Sequence, residues 1–162
     1  MNPSALFIAA SVILLVESSP TPCAEINSKA GGDVAALRPS NVLLAITSPR
    51  AGEMVSIGMP QESVSVTVDY WGPHLVAPNA ARKIDDDHLV FFLDTDDNAY
   101  VGTLAPTPRC NPNIVHTATT SVTFYHVLHG GHAIHVLLVG SNDVSVNPPV
   151  AAMASFVATD QP

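Results

Sequence analysis

Between Val64 and Asp69 the valines at 64, 66 and 68 alternate with Ser65, Thr67 and Asp69. No other stretch constrains the fold as much. Successive side chains of a strand point to opposite faces, so a β-branched period of two builds a half-buried strand and cannot build the apolar stripe of a helix. Similar short runs recur along the chain. Val42–Ile46 (VLLAI) is stopped by Thr47-Ser48-Pro49, and a turn follows at Ala51-Gly52-Glu53. His88–Leu93 (HLVFFL) lies between Asp85-Asp86-Asp87 and an acidic segment from Asp94 to Asn98, and Tyr100–Leu104 is expected to return as its hairpin partner. Beyond a Pro-rich loop over 105–112, Thr119–Val127 puts Val122 and Phe124 on one face. A turn at Leu128–Gly131 should then fold His132–Val139 back against it as a hairpin, with Ile134, Val136 and Leu138 sharing a face, and Val150–Val157 supplies the last strand after Pro148-Pro149. The 14 prolines and 9 glycines fall mostly between these runs. About seven short strands without a helical stretch describe an all-β, two-sheet antiparallel β-sandwich over residues 41–160.

The first forty residues read differently. Ala5–Val16 (ALFIAASVILLV) is an unbroken apolar run, as long as a signal-peptide core and shorter than the roughly 20 residues a membrane span needs. Cleavage after Ser18, Cys23 or Ala24 fits the small residues beyond it; residues 1–24 are assigned as signal peptide and 25–40 as a flexible linker, which makes the protein secreted. The two cysteines are Cys23 and Cys110. If cleavage precedes Cys23, the pair can form a disulfide; if it comes after, Cys110 stands alone.

Charge narrows the partners. The net charge is −8, and the permanent cations are Lys29, Lys83, Arg38, Arg50, Arg82 and Arg109. Nucleic acids and anionic membranes require a basic face, which so few cations do not build; no nucleic acid is expected, and no membrane beyond the signal segment. A protein or glycan met by loops at one end of the sandwich fits better.

Three segments, Ile46–Val55 (ITSPRAGEMV), His88–Asp96 (HLVFFLDTD) and Thr120–Thr159, resemble the bacterial-type immunoglobulin-like modules of exported proteins, of the E-set or fibronectin-III-like kind. The closing pattern falls on Phe124, Val127-Leu128, Gly131, His132, Ile134, Val136, Leu138, Pro148-Pro149, Phe156 and Val157. The resemblance implies an immunoglobulin-like sandwich with a binding, adhesive or spacer role and no single ligand. Where such modules often place a histidine after Asn, this chain reads Gly140-Ser141-Asn142-Asp143, so a metal role resting on that histidine does not carry over.

Histidines are the main candidates for chemistry. His126, His129, His132 and His135 recur every third residue, with His74, His88 and His116 elsewhere. Imidazole is a common ligand for copper and zinc. On a hairpin a spacing of three alternates faces, so His126 and His132 share the inward parity while His129 sits at the turn and His135 points outward. Two of them, with His88 or His116 from a neighbouring strand, could make a copper or zinc site; the plainer alternative is hydrogen-bonded structural histidines. Asp94-x-Asp96-x-Asn98 opens like a calcium loop, but Ala99 and Ala105 stand where an EF-hand needs Gly and Glu. A looser calcium site or a plain Asx turn remains. Trp71 reads as a cap on the core more readily than as a sugar or peptide contact. His129-Gly130-Gly131 lacks the G-x-S-x-G elbow of lipases, and no P-loop, dinucleotide fingerprint or HExxH motif occurs. The expectation is a non-catalytic binding module, with a secreted metal-binding protein as the alternative.

Overall fold

A computed structural model describes residues 35–160 apart from 38–40, 59–61, 82 and 84. The proposed signal peptide, including Cys23, lies outside the described residues, as does most of the 25–40 linker. The eight strands are, in order, β1 (Leu43–Ser48), β2 (Glu53–Ser56), β3 (Val64–Trp71), β4 (His88–Leu93), β5 (Ile114–Thr117), β6 (Ser121–Phe124), β7 (Gly130–Val139) and β8 (Ala151–Thr159). They form a three-stranded sheet β1-β3-β6 and a five-stranded sheet β2-β8-β7-β4-β5. The early strand is split between the sheets as β1 and β2, β3 and β6 lie in the smaller sheet, and β4, β5, β7 and β8 lie in the larger, an immunoglobulin-like connectivity. All pairings are antiparallel except the edge pair β2–β8, which is parallel.

The alternation in β3 does what its spacing requires: Val64, Val66 and Val68 are buried and face the other sheet. Trp71 shares the parity of Ser65, Thr67 and Asp69, so it points outward and is 58% exposed; the core-cap reading is corrected. Opposing β3 across the core are Leu89, Phe91 and Leu93 of β4, Ile134, Val136 and Leu138 of β7, and Phe156 of β8.

Two further expectations change. Tyr100–Leu104 is not a strand; the hairpin partner of β4 is β5, with Phe92 opposite Ile114 and Val90 opposite His116. Tyr100 and Val101 instead lie against the outer face of the five-stranded sheet, over Val90, Phe92, Ile114, Leu137 and Val139. This second apolar cluster exists because β4 is buried along its whole length on both faces. The β6–β7 segment is not a hairpin either. Strand β6 pairs with β3, β7 pairs with β4 and β8, and the chain between them crosses from one sheet to the other. Gly130, at φ 131°, starts β7 in a conformation that a Cβ would oppose. Residues 35–37 are also held against the sandwich: Ala36 is buried, and Leu37 bridges Asn147.

Phe91 is fully buried between the sheets. Phe91→Ala should lower the unfolding free energy by about 3–5 kcal/mol, whereas Met153→Ala, at a site 72% exposed, should change it by no more than about 0.5 kcal/mol. Urea denaturation followed by circular dichroism measures both.

Candidate metal centre

The outer face of the five-stranded sheet positions the cluster. On β4, His88 shares the outward parity of Val90 and Phe92; on β5, His116 shares that of Ile114. His116 stands opposite Val90, so His88 and His116 are diagonal neighbours on one face of an antiparallel pair, within reach of long side chains. Asp143 comes from the β7–β8 connection and closes over them. His88 and Asp143 are buried, and the His116 side chain is 7% exposed.

The loop is fixed around Asp143. Its N–H donates to the Gly140 carbonyl at 3.0 Å, and its carbonyl accepts from the Thr107 N–H at 2.9 Å and the Thr107 hydroxyl at 3.2 Å. Asp143 lies in the left-handed region at φ 61°, where Asp and Asn are tolerated better than other residues with a side chain. The Arg109 guanidinium grips its carboxylate with both ends, Nε to Oδ2 at 2.6 Å and Nη2 to Oδ1 at 2.8 Å. This fork supplies the charge that a buried carboxylate needs.

Three ligand atoms converge. His88 Nε2 is 3.1 Å from His116 Nδ1 and 3.2 Å from Asp143 Oδ1, and His116 Nδ1 is 3.5 Å from the same oxygen. A tetrahedral ion bonded at about 2.0–2.1 Å holds its ligand atoms about 3.3–3.4 Å apart. The triangle is therefore close to one face of such a site. His116 Nε2 lies 3.1 Å from the Pro108 carbonyl, which only accepts. Nε2 is therefore placed to donate its proton there, which leaves Nδ1, facing the cluster, as the nitrogen that could take a metal, the arrangement that orients a metal-binding imidazole. His88 Nδ1, by contrast, is buried without a partner.

Burial, the largest influence, lowers the His88 pKa and outweighs the pull of Asp143 in the other direction, so the imidazole stays neutral and keeps a lone pair to offer. For Asp143, burial pushes the pKa upward, but contact with His116 and His88 and the Arg109 guanidinium outweigh it and hold the carboxyl well below the usual range. A cleft of about 550 Å³ opens beside the cluster, walled by Pro78, Asn79, Arg109, Asn111, Pro112 and His116 among others.

The other candidates lie elsewhere. His132 is at the far end of β7, its Nδ1 2.7 Å from Asp94 Oδ2 and its Nε2 2.7 Å from the Leu128 carbonyl, so both nitrogens already face acceptors. The second oxygen of Asp94 accepts from the Ala133 N–H, and Asp96 accepts from the Asn98 N–H as an Asx turn. The Asp94–Asn98 segment thus engages its side chains locally and with His132. Asp97 pairs with His135 at 2.7 Å. His126 is exposed at φ 59° in the sheet-crossing segment and joins neither group. A larger depression of about 650 Å³ lies by Asp94, His132 and His135; among the described residues, a three-ligand group of metal-holding geometry occurs at His88, His116 and Asp143. Cys110 is disulfide-bonded; Cys23 is outside the described residues.

Sequence reasoning missed Asp143 and Arg109. Asp143 directly follows Asn142 in the loop between β7 and β8, and a carboxylate, like an imidazole, is a metal ligand.

No protein-family model and no curated protein matches the chain. Among solved structures, a PKD domain from human KIAA0319 is similar at 10% identity over 82% of this chain and 90% of that one, with a TM-score of 0.37. The CARDB domain of the PF1109 protein from Pyrococcus furiosus, solved in complex with di-metal ions, is similar at 13% identity over 79% and 100%, with a TM-score of 0.35. At these scores the likeness does not reach ligands or function.

Asp143→Asn keeps a residue suited to the left-handed backbone and removes the charge. It should destabilise by roughly 2–3 kcal/mol at pH 7, less than the 3–5 of a fully buried pair because the Arg109 side chain is partly exposed. Asp143 has a lowered folded pKa, so its contribution is complete above the ordinary carboxylate pKa of about 4 and declines as pH falls below it. Between pH 7 and pH 3 the urea midpoint should therefore drop further for the wild type than for Asp143→Asn.

Proposed function

We propose that this sandwich is an exported, non-catalytic binding module of the bacterial immunoglobulin-like kind whose ligand is a divalent transition-metal ion, zinc or copper, held by His88, His116 and Asp143. The observation that carries the reading is the triangle of ligand atoms at 3.1, 3.2 and 3.5 Å. Two imidazoles and one carboxylate are a zinc- or copper-type donor set, whereas calcium takes six to eight oxygens. Neutral His88 and ionised Asp143 are already in the protonation states that ligation needs. Metal on His88 Nε2 moves that ring's proton to Nδ1, which lacks an acceptor; the loss of about 1–3 kcal/mol is small beside the roughly 10–16 kcal/mol that closed zinc sites reach.

The non-catalytic part of the reading rests on access. Of the three ligands, His116 alone lines the cleft, while His88 and Asp143 lie beneath the loops, which suits holding an ion better than turning over a substrate. Export rests on the apolar run Ala5–Val16; among the described residues no helix is long and apolar enough to cross a membrane.

Isothermal titration of the purified, metal-stripped protein with zinc should show one ion per chain and a raised melting temperature that a chelator reverses. His116→Ala should lose this uptake, and His126→Ala should keep it. Absence of uptake by the wild type, or uptake that survives His116→Ala, would refute the assignment.

A further inference from the structure

Metal binding by His88, His116 and Asp143 leaves one cation unexplained, and the role inferred for that cation rests on the site being a metal site. Arg109 Nη2 bonds Asp143 Oδ1 at 2.8 Å, and this is the same oxygen that closes the ligand triangle. An ion bonded to Oδ1 would share that carboxylate with a guanidinium, placing two positive charges within a few ångströms in a largely dehydrated setting. Such a repulsion is large on the scale of binding energies.

We propose that Arg109 competes with the ion for Asp143 and thereby sets the affinity of the site. In the metal-free protein Arg109 supplies the positive charge that keeps Asp143 from being buried unpaired. When an ion enters, that charge becomes redundant, and the guanidinium gives up Oδ1. The structure provides room for this exchange. Arg109 approaches from the 105–112 loop rather than from a strand, its side chain is 32% exposed, and it forms part of the cleft wall beside Asn79 and Asn111. Asp143 does not need Arg109 to keep its place, because the Thr107 and Gly140 hydrogen bonds hold its backbone. An ion therefore meets a carboxylate in position but occupied, and only a metal that binds imidazole and carboxylate tightly displaces the incumbent. Calcium and magnesium, which draw little from imidazole, do not.

The test compares zinc titrations of the wild type, Arg109→Gln and Arg109→Lys. Arg109→Gln keeps a hydrogen-bond donor near Asp143 and removes the charge. It should bind zinc roughly tenfold or more tightly than the wild type while melting at a lower temperature without metal. Arg109→Lys retains the charge and should stay within a few-fold of the wild-type affinity. A purely structural arginine would give the opposite sign, with stability and zinc affinity falling together, and equal or weaker zinc binding by Arg109→Gln overturns the proposal. If wild type and Arg109→Lys both take up zinc but Arg109→Gln does not fold, the wild-type protein decides by NMR: the Arg109 Nη2–H signals, from the nitrogen now on Oδ1, should move toward those of a free guanidinium as zinc is added. A signal unchanged at saturation overturns the competition and leaves the metal site standing. No zinc uptake by any of the three proteins removes the metal site and this proposal together.

Discussion

Strand β4 is buried on both faces, and the rest of the functional architecture depends on that. Its inward residues Leu89, Phe91 and Leu93 fill the space between the sheets, as one face of any sandwich strand does. Its outward residues Val90 and Phe92 are equally dry, so the outer face of the five-stranded sheet had to be covered. The covering comes from the long β4–β5 connection, which brings Tyr100 and Val101 down on the sheet, and from the β7–β8 connection, which brings Asp143. Once that face is roofed, a polar residue at its margin needs a buried partner. His88 begins the outward row, and the cluster with His116, Asp143 and Arg109 is where the margin is satisfied.

Electrostatics and packing are therefore coupled at one place. Thr107, Pro108 and Arg109 of one loop address respectively the Asp143 carbonyl, the His116 Nε2–H and the Asp143 carboxylate. Gly102 N–H donates to the buried Ser145 hydroxyl and ties the two covering loops together. A disturbance of the ion pair would be felt by the roof of the outer cluster, and occupation of the site by an ion would stiffen it. A binding module gains from that arrangement, since the ligand then reinforces the loops that hold it.

Much of this was legible in the sequence, and the reasons are physical. The period of two in Val64–Val68 and in Ile134–Leu138 identifies strands and their inner faces, because a half-buried strand leaves no other pattern. HLVFFL, continuous rather than alternating, carries the mark of a strand buried on both sides; applied strictly, that mark requires a covering layer, which is the place Tyr100 and Val101 take. Ile114–Thr117 escapes a pattern reading because four residues with one buried apolar side chain look like loop, and the parallel edge strand β2 is equally short. His88 and His116 stand out as ligands but not as each other's neighbours, since the 20 residues between β4 and β5 hide the pairing. Asp143 is out of reach for a different reason: its role depends on a tight left-handed turn, and alternation in the flanking strands says nothing about where a loop carboxylate will point. The parity that pairs His126 with His132 presumes one hairpin, and the crossing between sheets at 125–129 removes the premise.

The proposed function stands or falls with one transition-metal ion held by His88, His116 and Asp143. Crystals of the zinc-loaded protein, with anomalous diffraction recorded on both sides of the zinc absorption edge, test it most directly. A single strong peak should lie about 2.0–2.2 Å from His88 Nε2, His116 Nδ1 and an Asp143 carboxylate oxygen, with Arg109 Nη2 no longer on the ligating oxygen. A peak at His132 and Asp94 instead, or no peak with the Arg109–Asp143 fork intact in zinc-saturated crystals, would contradict it.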